Sequence, residues 1–164
     1  MLQFNRKTEY AFLAIEYIAR KADELPSSVT STREISEAYK MPYPLLAKIM
    51  QQLSNRGLIK SVQGTKGGYV LAKKAENISV VDVVEIFDGR VAVADCFKEE
   101  KITCPQWDGC HIRDPFYELN MKIYQMLAET SMADLIKKSS PPLYPLTDSQ
   151  TTQTIKPKNK EGLI

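Results

Sequence analysis

Residues 31–73, STREISEAYK MPYPLLAKIM QQLSNRGLIK SVQGTKGGYV LAK, decide the fold. Ser31 is followed three residues on by Glu34, the spacing at which an N-cap hydroxyl and an N3 acid satisfy each other's backbone N–H. The helix this opens carries Ile35 and Ala38 inward and is expected to stop near Lys40. After the short link Met41-Pro42-Tyr43, Pro44 stands at the expected first position of a new helix, where its missing N–H costs nothing. That helix, Pro44 to about Arg56, places Leu45, Leu46, Ile49, Met50 and Leu53 on one side, and Gly57 supplies a left-handed stop. Two β-rich runs, Leu58–Gln63 and Gly68–Lys73, then flank a glycine-rich tip and predict a hairpin. Upstream, Ala11, Phe12, Ala14, Ile15, Tyr17, Ile18 and Ala19 recur at helical spacing between Thr8 and about Lys21. Helix, helix, turn, helix, hairpin is the order of a winged helix-turn-helix, with the short link between its second and third helices that the motif requires.

Downstream the pattern changes. Ser79 with Asp82 opens a short helix bearing Val80, Val83, Val84, Ile86 and Phe87, and Gly89 closes it. Residues 90–113 show no period. Asp114-Pro115 then starts a long helix to about Thr130, and Ser131 with Asp134 caps a last short one. The long helix has more apolar surface than a chain of this size covers alone, so pairing with the same helix of a second copy is expected beside a purely internal role. The expected organisation is a DNA-binding unit over 1–76, a loop and dimerisation helices over 77–138, and a Ser-, Pro-, Thr- and Lys-rich tail over 139–164 read as disordered. The fold class is therefore mainly α with a small β-hairpin.

Composition narrows the function. The chain of 164 residues has a formal net charge of +2, but the charge is divided: +6 over residues 1–74, −7 over 75–136 and +3 over 137–164. A basic unit beside an acidic one suits a nucleic-acid-binding module joined to a different one. No apolar run is long enough to span a bilayer and no leader precedes Arg6, so a cytoplasmic protein with no membrane partner is expected. An enzyme is not expected: no Ser/His/Asp set, phosphate loop or paired-carboxylate motif is present, and His111 is the only histidine.

In a helix-turn-helix the second helix of the unit lies in the major groove. Its outward positions here include Tyr43, Pro44, Ala47, Lys48 and Gln51. Lys48 suits guanine, Gln51 suits adenine, and Ala47 suits a thymine methyl. In the hairpin tip, Gln63 and Thr65 are candidates for the minor groove and Lys66 for a phosphate. Arg33, Lys40, Arg56 and Lys60 are expected phosphate anchors, which supply affinity without sequence information.

Cys96, Cys104 and Cys110 are the only cysteines and fall within one 15-residue window. An odd number argues against a disulfide framework. The x7 and x5 spacings lack the close pairs of a zinc site and suit an iron–sulfur cluster, whose irons are separate attachment points. Three thiolates leave one iron in need of another ligand, and His111, next to Cys110, is one candidate; three free structural thiols are the alternative for the whole window.

With these residues in view the chain resembles the IscR/NsrR group of winged-helix regulators, the Rrf-two family, over about residues 1–138. The resemblance rests on Lys7-Thr8-Glu9-Tyr10-Ala11, on Leu53-Ser54-Asn55-Arg56-Gly57-Leu58-Ile59, on Ser61-Val62-Gln63-Gly64-Thr65-Lys66-Gly67-Gly68-Tyr69, and on the cysteine trio. It implies a homodimeric transcription factor, usually a repressor, that binds a pseudo-palindromic double-stranded operator. It also implies a 2Fe-2S or 4Fe-4S cluster, held by three cysteines, that senses redox, nitric oxide or iron–sulfur status. This sequence has x7 where x5 is common in the family, and His111 follows Cys110 without the family's gap. Related members use a carboxylate donated by the other subunit near the start of the first helix. Glu9 matches that position and is favoured over His111. A cluster-free member governed by a metabolite or a protein partner is the alternative.

Overall fold

The computed structural model describes residues 3–64, 67–98 and 104–139. Its architecture is mainly helical with one two-stranded antiparallel sheet. The helices are α1 (Arg6–Glu24), α2 (Thr32–Tyr39), α3 (Tyr43–Asn55), α4 (Val80–Phe87), α5 (Arg113–Glu129) and α6 (Met132–Lys138), and the hairpin is β1 (Ile59–Val62) with β2 (Gly68–Leu71).

α1 is longer than its apolar period suggested because Asn5 caps it, accepting from the N–H groups of Lys7 and Thr8. α2 starts after Ser31, whose hydroxyl accepts from Glu34 N–H at 3.2 Å. The reciprocal half of the expected capping box is not made. Glu34 is drawn away by Lys21 Nζ at 2.5 Å and by the Tyr17 hydroxyl at 3.0 Å, and a charged donor outcompetes the backbone amide. Both tyrosines in this corner, Tyr17 and Tyr39, meet edge to face at 5.9 Å. Burial, then the Glu34 carboxylate, raises the Tyr17 phenol. Burial, then Glu16, pushes Tyr39 up to about 12.

α3 begins one residue earlier than expected, at Tyr43, with Pro42 as the N-cap and Pro44 in its first turn. Leu46, Ile49, Met50 and Leu53 are buried, and Gly57 takes the left-handed conformation (φ 69°) that ends the helix. The hairpin pairs Ile59 with Leu71 and Val62 with Gly68. A third edge is added by the chain just before α2: Thr30 N–H donates to the Tyr69 carbonyl at 3.0 Å and Tyr69 N–H to the Thr30 carbonyl at 2.8 Å.

The main core joins α1, α2, α3 and the hairpin, and it also takes in Ile78, Val83 and Met132. On its other side α4 turns Val80, Val81 and Val84 to a second, smaller cluster with Val91 and Leu127, closed over by Phe4 and Phe12. Complete capping boxes at Ser79/Asp82 and Ser131/Asp134 start α4 and α6, as expected. The two starts lie side by side, with Val80 N–H donating to the Thr130 carbonyl at 2.9 Å and Met132 N–H to the Ile78 carbonyl at 2.8 Å. Of the tail, residues 140–164 lie outside the described residues.

Candidate functional site

Two surfaces carry the residues singled out by the sequence. On the first, α2 and α3 present a cationic, polar face. Arg33 is exposed on α2, and Lys40 caps its end in the left-handed conformation (φ 52°). Tyr43 opens α3 half exposed (50%), followed by exposed Pro44, Lys48 and Gln51 along one side. Arg56 projects from the helix end, and Lys60 from β1. Ala47 is only partly accessible, tucked between the exposed side and the core side of α3. No carboxylate pairs with Arg33, Lys40, Lys48, Arg56 or Lys60 among the described residues, so the charge is available to an anionic partner.

The hairpin stands beside this face. Gln63 is exposed at its tip, whereas Thr65 and Lys66 lie outside the described residues. What aims the hairpin is its docking onto Thr30, a feature the sequence reading missed. A Cβ at Gly68 would lie 2.5 Å from the Thr30 carbonyl oxygen, so only glycine lets the two backbones approach this closely. The signal available was an extra glycine at the start of a strand, where none is needed for a turn.

The second surface is the connection between α4 and α5. It leaves Gly89 (φ 79°), is anchored by buried Val91, and is tied to α5 where Val93 N–H donates to Asn120 Oδ1 at 2.9 Å. Cys96 sits in a short 3₁₀ turn, Asp95–Phe97, and Cys104 precedes another, Trp107–Gly109, which Cys110 ends. All three thiols are free and none is buried. The Cys104 thiol donates weakly to Gln106 Oε1 at 3.6 Å. Arg113 lies 4.9 Å over the Trp107 ring, and Phe97 meets Tyr117 edge to face at 6.1 Å. With Glu85, Arg90 and Asn120, these aromatics and Cys96 line a cleft of about 450 Å³.

Among the described residues, no three His, Cys, Asp or Glu side chains converge closely enough to hold a metal ion. The donor set itself suits an iron–sulfur cluster: three uncrosslinked, accessible thiols on one connection are soft ligands of the right kind. Glu9 is in the first turn of α1, partly exposed (44%), and faces Arg6 at 3.5 Å. His111 is exposed beside Cys110. α5 leaves Phe116, Tyr117, Leu119 and Met126 exposed, with only Leu127 buried.

A helix-turn-helix with a docked wing, followed by this cysteine connection and long helix, matches one family over residues 4–138: Rrf2, iron-dependent transcriptional regulators. The chain belongs to the Rrf2 family. It is a DNA-binding transcriptional regulator, as the family's members are. The regulator NsrR of Shouchella clausii is 27% identical over 82% of this chain and 89% of its own. The structure of CymR, the global cysteine regulator of B. subtilis, superposes with a TM-score of 0.67 at 23% identity, covering 85% of this chain and all of that one. IscR of T. potens gives 0.63 at 22%, covering 88% of this chain and 93% of its own. At these identities the two structures speak for the winged-helix fold. None of the described helices is long and apolar enough to cross a membrane.

Proposed function

We propose that this Rrf2 protein is a homodimeric regulator, in the first instance a repressor, in which an iron–sulfur cluster on Cys96, Cys104 and Cys110 governs the grip on a pseudo-palindromic operator. The observation that carries this reading is the trio of free, accessible thiols on a connection that runs directly into a helix leaving Phe116, Tyr117, Leu119 and Met126 exposed. Residues 1–76 read DNA, residues 77–138 sense and pair, and 139–164 form a tail outside both tasks.

The chain's own groups divide the work. Lys48 and Gln51, with Tyr43, Pro44 and Ala47, meet base edges in the major groove. Gln63 and Thr65 reach the minor groove, while Arg33, Lys40, Arg56 and Lys66 hold phosphates. Phe116, Tyr117, Leu119 and Met126 bury one α5 against the other. The partner subunit's Glu9 completes the ligand set, with His111 the alternative. When bound, the cluster supplies chemistry responsive to redox, nitric oxide or iron–sulfur supply. A carboxylate is a harder ligand that iron holds less firmly beside thiolates. Glu9 would therefore be the weaker link, and while held it would tie α1 of one subunit to the other and keep the two recognition helices at the separation of ~34 Å that one turn of DNA imposes.

Protein purified without oxygen is expected to be coloured, to contain iron and sulfide, and to sediment as a dimer. Replacing all three cysteines by serine should bleach it and abolish the response of DNA binding to oxidants, measured on DNA that the protein selects from random sequence. A colourless wild type would direct attention to a second reading. The aromatic cleft of about 450 Å³ beside Cys96 favours a small-molecule effector in that case.

A further inference from the structure

One polar junction serves neither the DNA-facing surface nor the cysteine connection directly, yet it ties their roots together. Thr8 is completely buried, and its hydroxyl donates to Asp88 Oδ2 at 2.5 Å. Asn5 N–H donates to Asp88 Oδ1 at 3.2 Å, and the Asn5 side-chain amide donates to the Phe87 carbonyl at 2.8 Å. The first turn of α1 is thereby fastened to the C-terminal end of α4, across 80 to 83 residues of sequence.

The charge of Asp88 makes the purpose of this contact legible. A carboxylate at the C-terminal end of α4 opposes that helix's dipole, where a cation is favoured. At the N-terminal end of α1 the same carboxylate is favoured, because it meets the positive end of that dipole and accepts from its capping groups. The Asp88 backbone N–H caps its own helix, donating to the Val84 carbonyl at 2.8 Å, while its carboxylate fits as a clasp for α1.

Both arms of the proposed sensing site leave from this clasp. Glu9 follows Thr8 immediately. Gly89 follows Asp88 immediately and, with its positive φ, turns the chain into the connection that bears Cys96, Cys104 and Cys110. Among the described residues Glu9 itself is held only by the exposed Arg6 at 3.5 Å, so its direction depends on where the first turn of α1 is pinned.

We propose that Asp88, through Thr8 and Asn5, is a positioning residue that fixes Glu9 relative to the chain's own cysteine connection, so that the two sensing sites of the dimer behave as one mechanical unit. This rests on the reading of Glu9 as the ligand given to the partner. In a twofold dimer each subunit lends Glu9 to the other and keeps its own cysteines. A clasp between the lent arm and the kept arm, part-buried at Thr8–Asp88 and exposed at Asn5, means that slackening at one site is felt at the other.

The test is a double-mutant cycle on anaerobically purified dimer, following iron loss as growth of the red iron(II)–chelate absorption after addition of bathophenanthroline disulfonate. Glu9→Ala and Asp88→Ala should each speed the loss, Asp88→Ala by about 10-fold, the lower edge of the effect of removing a residue that orients a ligand. The double variant should be no faster than Glu9→Ala alone, because Asp88 acts through Glu9. Thr8→Val runs the same cycle if Asp88→Ala does not fold, and Asp88→Asn, which keeps an acceptor for Thr8, should recover much of the wild-type rate. Effects of Glu9 and Asp88 that multiply would mean that Asp88 acts independently, which overturns the inference. A wild-type rate in Asp88→Ala with a labile Glu9→Ala overturns the inference and leaves the Glu9 reading standing. A wild-type rate in Glu9→Ala removes that reading and the inference with it.

Discussion

The winged unit and the α4–α5 connection both turn their chemically important residues to solvent, but they are held in place by different means. Behind Lys48 and Gln51, α3 sinks Leu46, Ile49, Met50 and Leu53 into a core shared with α1, and the wing is hydrogen-bonded to Thr30. Among the described residues, the proposed DNA-facing surface is thus backed by one chain's own core. Among the described residues the connection has less behind it: buried Val91, one hydrogen bond to Asn120, Phe97 against Tyr117, and Arg113 stacked on Trp107. Its neighbour α5 buries only Leu127. One region is preorganised for a partner that is always the same, the phosphate-lined groove of DNA. The other, on the proposed reading, would be completed by a cluster and a second copy.

Single substitutions can break this contrast. Leu53→Ala empties a site with no exposure at all and should cost about 2–5 kcal/mol of stability, read from urea denaturation. Met126→Ala, at a residue 56% exposed, should stay within about 0.5 kcal/mol in the isolated chain while shifting the monomer–dimer balance toward monomer in sedimentation. Equal losses of folding stability at the two positions would show that α5 is as firmly packed as α3 and that the contrast is false.

Gly68→Ala probes how the wing is aimed. The added methyl would lie 2.5 Å from the Thr30 carbonyl oxygen and 2.9 Å from Val29 Cγ1, so the strand must separate from the α1–α2 loop. A cost of about 1–3 kcal/mol is expected from such crowding. Affinity for all DNA sequences should fall together, since the wing as a whole moves. An unchanged affinity would mean that the wing contributes little to binding.

The same contrast explains what could be read from the sequence. The order of elements, the Gly57 stop and both capping boxes at Ser79 and Ser131 depend on neighbours a few residues apart, and local periodicity carries that information. The capping box at Ser31 was only half right, because Lys21 and Tyr17, distant in sequence, compete for Glu34. α1 was drawn too short because Asn5 sits before the apolar pattern begins. The exposed apolar side of α5 was legible as an excess, whereas Asn5, Thr8 and Asp88 were not legible as a junction, since no pattern links residues 80 apart. Convergence of the three thiols is not reached within the described residues of one chain. The ligand proposed to come from a second copy would leave no period in the first.

A smaller loss tests whether the shared core extends past the winged unit. Ser79→Ala and Ser131→Ala each remove a hydroxyl that accepts from an N3 amide, at 3.2 and 3.1 Å, and each should cost about 1 kcal/mol. Because the starts of α4 and α6 are bridged to each other, the double variant should lose a different amount from the sum of the two. Simple additivity would mean that the bridge holds without the caps.

The finest distinction lies in alkaline solution, and it concerns the winged unit alone. Burial holds the Tyr39 phenol in its protonated form to about 12, against an ordinary value of 10.0. The unfolded chain therefore releases this proton before the folded chain does. Stability is fully present below pH 10 and falls as the pH rises from 10 toward 12, because the unfolded state then binds fewer protons. Tyr17, raised by burial and by Glu34, adds to the same fall. Tyr39→Phe keeps the edge-to-face packing on Tyr17 and removes the titrating group. Its denaturation midpoint should match wild type at pH 8 and decline less steeply between pH 10 and 12. If the two proteins decline in parallel, the α1–α2 corner admits water to Tyr39, and the unit behind the DNA-facing surface is looser than its buried side chains imply.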